Sequence, residues 1–123
     1  MSMWTKAKVT GIERSEIQGV LIAKLESEEG LNISLEYPSS LYTVNVGEEL
    51  NVFLGKNEPR NVPDDALLMC GHIFKIIREE KLCTLYISVG GYQVRFNIPS
   101  SLESWFHDLN YMDLVYIALS RSS

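Results

Sequence analysis

The sequence holds few of the groups that carry chemistry. Its only imidazoles are His72 and His107, and its only thiols are Cys70 and Cys83. Cys70 and His72, spaced C-x-H, make half a metal site on one side of a strand. Zinc needs three or four ligands, and no partner pair accompanies them, so neither metal nor cofactor is expected. Cys70 is expected in the core and His72 near a strand rim. Positive charge is also scarce: Lys and Arg number 11 against 16 Asp and Glu, a formal net charge of −5 with a pI near 5.0. A chain that grips phosphate backbones usually carries a basic excess or stripe. By count this one has neither, although its eleven basic residues could still gather in space. No run approaches the roughly 18 apolar residues of a membrane span. The start, "MSMWTKAKVTG", lacks the apolar core of a signal peptide. The expected location is the cytoplasm, where free thiols are the default.

Catalytic motifs are equally sparse. The serines of the two PSSL stretches have no G-x-S-x-G elbow. Gly90–Gly91 is followed by no G-K-[ST] and so is no phosphate loop; a tight hairpin needing positive φ accounts for it. Asp64 and Asp65 lie in a proline-containing connector, where acids are solvated. No nucleophile–base pair can be assembled, and no catalytic residue is expected.

What the chain does have is repetition. Pro38–Leu41 and Pro99–Leu102 both read PSSL. "GLNISLEY" before the first and "GYQVRFNI" before the second alternate apolar and polar residues, the sign of half-buried strands. They align without a gap at an offset of 61, Gly30 on Gly91. "GVLIAKLES" aligns with "KLCTLYISV" at 62, and "KVTGIERSE" with "HIFKIIREE" at 64. After the PSSL stretches, "VGEELNVFL" matches "YMDLVYIAL" at 64 or 65. Each half reads strand, strand, strand, corner, strand. The halves cover about 4–55 and 66–121 of one domain, residues 1–123, with "KNEPRNVPDD" (56–65) as connector. Pro38 and Pro99 cannot donate to a ladder and end their strands. The following serines favour a turn or short helical cap, and Leu41 and Leu102 are expected to plug the two corners.

Eight strands in two runs with tight turns predict an all-β, antiparallel sheet closing into a barrel, which removes free edges. "SSLESWFHDLNYM" is expected to form a short helix over the barrel mouth, with Leu102, Trp105, Phe106 and Leu109 on one side. If Arg78–Lys81 is a turn, Cys83 faces Ile76. At about 3.3 Å per strand residue that puts it beyond disulfide reach of Cys70.

"LLMCGHIFKIIRE", "TLYISVGGYQVRFNI" and "LVYIALSR", with "KVTGIER" and "LIAKLESEEGLNISLEYPSSLYTVNVGEELNVFLG" in the first half, resemble the eighth-subunit family of multi-subunit RNA polymerases, whose archaeal counterpart is called the G subunit. The resemblance runs from about Lys6 to Arg121. Val89 stands where eukaryotic members usually carry an aromatic residue, and the short connector is of archaeal type. The resemblance implies an OB-fold-like barrel of two similar halves and a non-catalytic subunit docking on the largest polymerase subunit. It implies no chemistry of its own; direct nucleic-acid contact is not expected of a chain with a net charge of −5.

Under that reading the partner-binding residues are Gly90, Gly91, Tyr92, Arg95 and Arg121, because aromatics and Arg carry most interface energy and glycines allow close backbone approach. One alternative is a free single-strand nucleic-acid binder, with Tyr86, Tyr92 and Phe96 stacking bases among Lys75, Arg78 and Arg95. Phe96 and Tyr92 share the apolar side of their strand, which counts against that face. Another alternative is an unrelated protein-binding barrel.

Overall fold

The structure is a computed structural model that describes residues 2–121. Eight strands form among them: β1 (Ser2–Arg14), β2 (Val20–Glu26), β3 (Asn32–Pro38), β4 (Glu49–Gly55), β5 (Leu67–Arg78), β6 (Leu82–Val89), β7 (Tyr92–Pro99) and β8 (Leu114–Ser120). They close into one antiparallel barrel in the order β1-β2-β3-β7-β6-β5-β8-β4. The expected all-β closed barrel is what forms. Closure pairs every one of these strands on both sides and leaves no free edge among the described residues. The alternating apolar residues meet inside, among them Val9, Ala23, Leu25, Ile33, Leu35, Leu50, Val52, Ile73, Leu85, Ile87, Val94, Phe96, Val115 and Ile117.

Corresponding strands of the two halves meet at two junctions of this ring. On β3 and β7 the directly opposed pair is Ser34↔Arg95, two positions separated by the offset of 61. On β4 and β8 it is Phe53↔Ala118, separated by 65. A two-fold axis between antiparallel strands passes through a directly opposed pair. The pairing therefore selects 65 over 64 for the last strands. Both of those strands carry the same burial order, exposed–buried–half-buried and then four buried residues. Bulges occur at Val9/Gly11 in β1 and at Ile73/Lys75 in β5, again 64 apart. The Ser34/Arg95 and Phe53/Ala118 junctions lie four strands apart in either direction, at opposite poles of the barrel.

Three local expectations need correction. Cys83 opposes Arg78, not Ile76, because the turn falls one residue later than expected: Glu79 stands opposite Leu82, and Glu79 N–H donates to the Leu82 carbonyl at 2.8 Å. Both thiols are free. Cys70 is exposed rather than in the core: it lies on the outer side of β5, as does His72, while Gly71 and Ile73 are buried. Leu41 is 62% exposed and plugs nothing, whereas Leu102 packs against the core. The two corners differ because the spacing grows from 61 before them to 65 after them. The four additional residues in the second half accommodate a 3-10 helix, Ser100–Trp105. Beyond it Phe106 and Leu109 are buried; Val44 is the buried counterpart of Leu109 at offset 65. The Trp105 side chain, expected on the same side, lies outside the described residues.

Candidate interaction surfaces

The sequence-predicted residues fall in three places. Gly90 and Gly91 form the two-residue turn between β6 and β7, with φ of 56° and 94°. Both values suit the primed hairpin turns, which L side chains resist. Tyr92, half-buried, opposes Val89 just inside that turn. Arg95 lies on the outer side of β7 between Ser34 and Tyr86. Arg121 is elsewhere, at the end of β8.

Arg121 is committed within the chain. Its guanidinium hydrogen-bonds the Glu48 carboxylate and the Thr43 carbonyl, and its Cζ lies 5.0 Å from the Tyr42 ring centre. The bond from Arg121 holds the Glu48 carboxyl below the usual carboxylate range. Burial pushes the Tyr42 hydroxyl up, partly offset by the same guanidinium. Lys56 repeats the arrangement from the other half: its Nζ lies 3.5 Å from Asp113 Oδ2 and 3.4 Å from the Asp108 carbonyl. Lys56, Asp113 and Asp108 stand 65 positions from Arg121, Glu48 and Thr43 respectively. Each half thus extends a cation onto the loop that leads into the other half's last strand. Sequence reasoning read Arg121 as a docking group because the reciprocal pairing becomes visible only once β4 and β8 are adjacent.

The stacking face of the nucleic-acid alternative is partly dismantled. Phe96 is buried, and Arg78 Nη2 donates to the Leu109 carbonyl at 3.1 Å. Tyr86, Lys75 and Arg95 do share one outward row.

Sequence reasoning missed the outer surface of the Phe53/Ala118 pole. Trp4 opposes Phe53, Phe53 opposes Ala118, and Ala118 opposes Leu68, giving an apolar row across β1, β4, β8 and β5. Phe53 and Ala118 are buried, and the flanking Trp4 and Leu68 are 43% and 40% exposed. The Trp4 and Phe53 rings lie 5.2 Å apart. The next row holds Gly55, Tyr116 and Cys70, followed by Leu114 against His72. None of these positions is Asp, Glu, Lys or Arg. Charge begins on the other side at Lys6, which opposes Asn51. A contiguous apolar surface with a polar rim has the anatomy of a protein interface. The signal for it was the apolar residues on the polar phase of β4, β5 and β8, which alternation treats as noise.

Among the described residues no group of three or more metal-ligating side chains occurs, and no helix is long and apolar enough to cross a membrane. The fold and these surfaces define a small closed β-barrel with one uncharged, apolar outer face. The model of the family formed by the G subunit of DNA-directed RNA polymerase matches residues 2–122, and the chain belongs to that family. It is therefore a subunit type of a nucleotidyltransferase complex that works in transcription. No curated protein matches the chain. Among solved structures, the cytoplasmic molybdate-binding protein ModG, with molybdate bound, is similar at a TM-score of 0.44 and 9% identity, covering 98% of this chain and 91% of that one. A likeness that loose carries no argument.

Proposed function

We propose that the chain is a non-catalytic docking subunit of an archaeal-type, cytoplasmic RNA polymerase and seats on the largest subunit through the Phe53/Ala118 pole. The uncharged face built on Trp4, Tyr116, Leu68 and Leu114 carries this reading. Its exposed apolar side chains gain most from leaving water, at about 25 cal/mol per Å² buried. The β6–β7 turn stands beside this face, because Ser88 opposes His72 and the chain then turns at Gly90–Gly91. Gly90, Gly91 and Tyr92 extend the contact from there. Arg121 holds the pole's loops in shape, and Arg95 lies at the opposite pole. The chain supplies surface, and bond-making belongs to the large subunits.

Purification of the tagged chain from its native cells at moderate salt tests the reading. Stoichiometric recovery of the large polymerase subunits is expected, together with chemical crosslinks from the Trp4–Leu68 face to the largest one. Recovery of the polymerase with crosslinks only to other subunits would refute the choice of partner.

A further inference from the structure

The duplication supplies an internal control for the outer surface. On β5 the outward residues that follow Leu68 are Cys70, His72 and Phe74. At the equivalent places on β1, 64 positions earlier, stand Lys6, Lys8 and Thr10. On β8, Tyr116 and Leu114 stand where β4 has Asn51 and Glu49, 65 positions earlier. The pairing matches too: His72 opposes Leu114 as Lys8 opposes Glu49, and Cys70 opposes Tyr116 as Lys6 opposes Asn51. The same backbone thus carries a charged outer strip in the first half and an uncharged one in the second. The uncharged strip ends at a loop tip. Asn45–Glu48 and Asn110–Asp113 are built alike: Asn45 N–H donates to Glu48 Oε1 at 3.1 Å, and Asn110 N–H to Asp113 Oδ2 at 2.8 Å. Gly47 N–H donates to the Val9 carbonyl at 2.8 Å, and Met112 N–H to the Ile73 carbonyl at 2.7 Å. The second tip carries Tyr111 and Met112, 65% and 60% exposed, where the first has the smaller Val46 and Gly47. Met112 keeps φ at 74°, a left-handed backbone that L side chains resist and glycine adopts freely. Exposed Phe74 follows Ile73, the residue that holds Met112, and exposed Leu114 stands two residues beyond Met112. The one charge of the tip, Asp113, is paired with Lys56 at 3.5 Å.

We infer that Tyr111 and Met112 form a knob that seats in a concave apolar pocket of the largest polymerase subunit, so that the docking footprint runs from the Phe53/Ala118 pole along the second half to this tip. The inference rests on the docking reading and deepens it. Folding does not call for these side chains, since the first half makes the same strip and loop with Lys, Glu, Thr and Gly. Left in water they gain nothing; continuous with a docking face, they gain from being covered. The tip is ordered before contact. Its turn is closed by the Asn110 N–H bond to Asp113, and its backbone is tied to Ile73 on β5, so little freedom is lost on seating. A projecting tip calls for a concave partner surface, and an uncharged strip for an apolar one. Tyrosine and methionine are enriched at such contacts, and the Tyr111 ring supplies apolar area while its hydroxyl stays with the polar rim. The neighbouring hairpin follows the same division: Gly90 stands where the first half has Glu29.

The test uses the tagged chain assembled in the polymerase. A photoreactive phenylalanine analogue in place of Tyr111 is expected to crosslink to the subunit that the Trp4–Leu68 face reaches, and the same analogue in place of Val46 is not. Tyr111→Ser and Met112→Gly should each speed release of the chain by about tenfold or more, read as exchange against excess untagged chain. Val46→Ser should leave the exchange unchanged. Met112→Gly relieves the left-handed backbone, so its weaker hold does not come from misfolding, and circular dichroism checks all three variants. Polymerase recovered as usual, with exchange unaltered by the Tyr111 and Met112 changes or with crosslinks from position 111 only to other subunits, would overturn the inference and leave the docking reading standing. Equal acceleration by Val46→Ser would overturn it too. Failure of the unaltered chain to recover any large subunit would overturn both.

Discussion

Gly71 is the most constrained residue that alternation overlooks. A Cβ built on it would stand 2.4 Å from the Ser88 carbonyl oxygen and 2.8 Å from Val89 Cγ2. The nearest atom is backbone and cannot swing aside, so β5 and β6 would have to part. Gly71→Ala should lower stability by about 1–3 kcal/mol, the usual cost of overpacking, measured by urea unfolding. A second residue-scale case is Met112, held at φ 74° where the matching loop of the first half has Gly47 at 92°. Left-handed backbone costs an L residue about 1–2 kcal/mol. Gly47→Ala should destabilise by about that much, while Met112→Gly should be neutral or mildly stabilising once the added unfolded-state entropy is counted. Neither position was legible in the sequence. A close cross-strand approach depends on register, and a positive φ at a non-glycine residue has no letter code.

Strands and their order were readable because burial imposes period two wherever a side chain must point inward. Boundaries and facing pairs were less so. The turn that sets Glu79 opposite Leu82 decides which residue meets Cys83, the β5 bulge shifts the register further along, and neither leaves an apolar signal. The PSSL corners show the same limit: one tetrapeptide makes a plain turn at Ser39–Leu41 and a 3-10 helix at Ser100–Trp105. Leu102→Ala should therefore cost about 1 kcal/mol or more, and Leu41→Ala less than about 0.5 kcal/mol, in the same unfolding assay. Between elements, the Arg121–Glu48 pair makes stability depend on pH. Glu48 has its folded pKa lowered, chiefly by the Arg121 hydrogen bond. Its contribution is thus full above the unfolded carboxylate range and vanishes as pH falls through the folded value. With Arg121 about a third exposed, solvent screening limits the effect. Arg121→Gln should lose about 1 kcal/mol or less near neutrality, and the gap to the parent should close in acid. A gap that persists at low pH would mean that packing on Tyr42, not charge, supplies the effect.

At the scale of the whole molecule, one barrel presents two unlike poles. The apolar pole is centred on Phe53 and Ala118, the basic–aromatic pole on Ser34 and Arg95, and four strands separate them around the ring either way. The closed barrel could be foreseen from the pattern of strands, and the polymerase family from the residues themselves. The poles could not, since each is assembled from alternate residues of four or five strands brought together by closure. The account's central claim is that the apolar pole seats the chain on the polymerase. Its most direct measurement compares polymerase recovered with tagged Leu68→Glu and Leu114→Glu against that recovered with tagged Lys24→Gln and Arg95→Gln, each first shown to be folded. The account predicts that the glutamate variants lose the large subunits while the glutamine variants retain them. Full recovery with the glutamate variants, or loss confined to the glutamine variants, would contradict it.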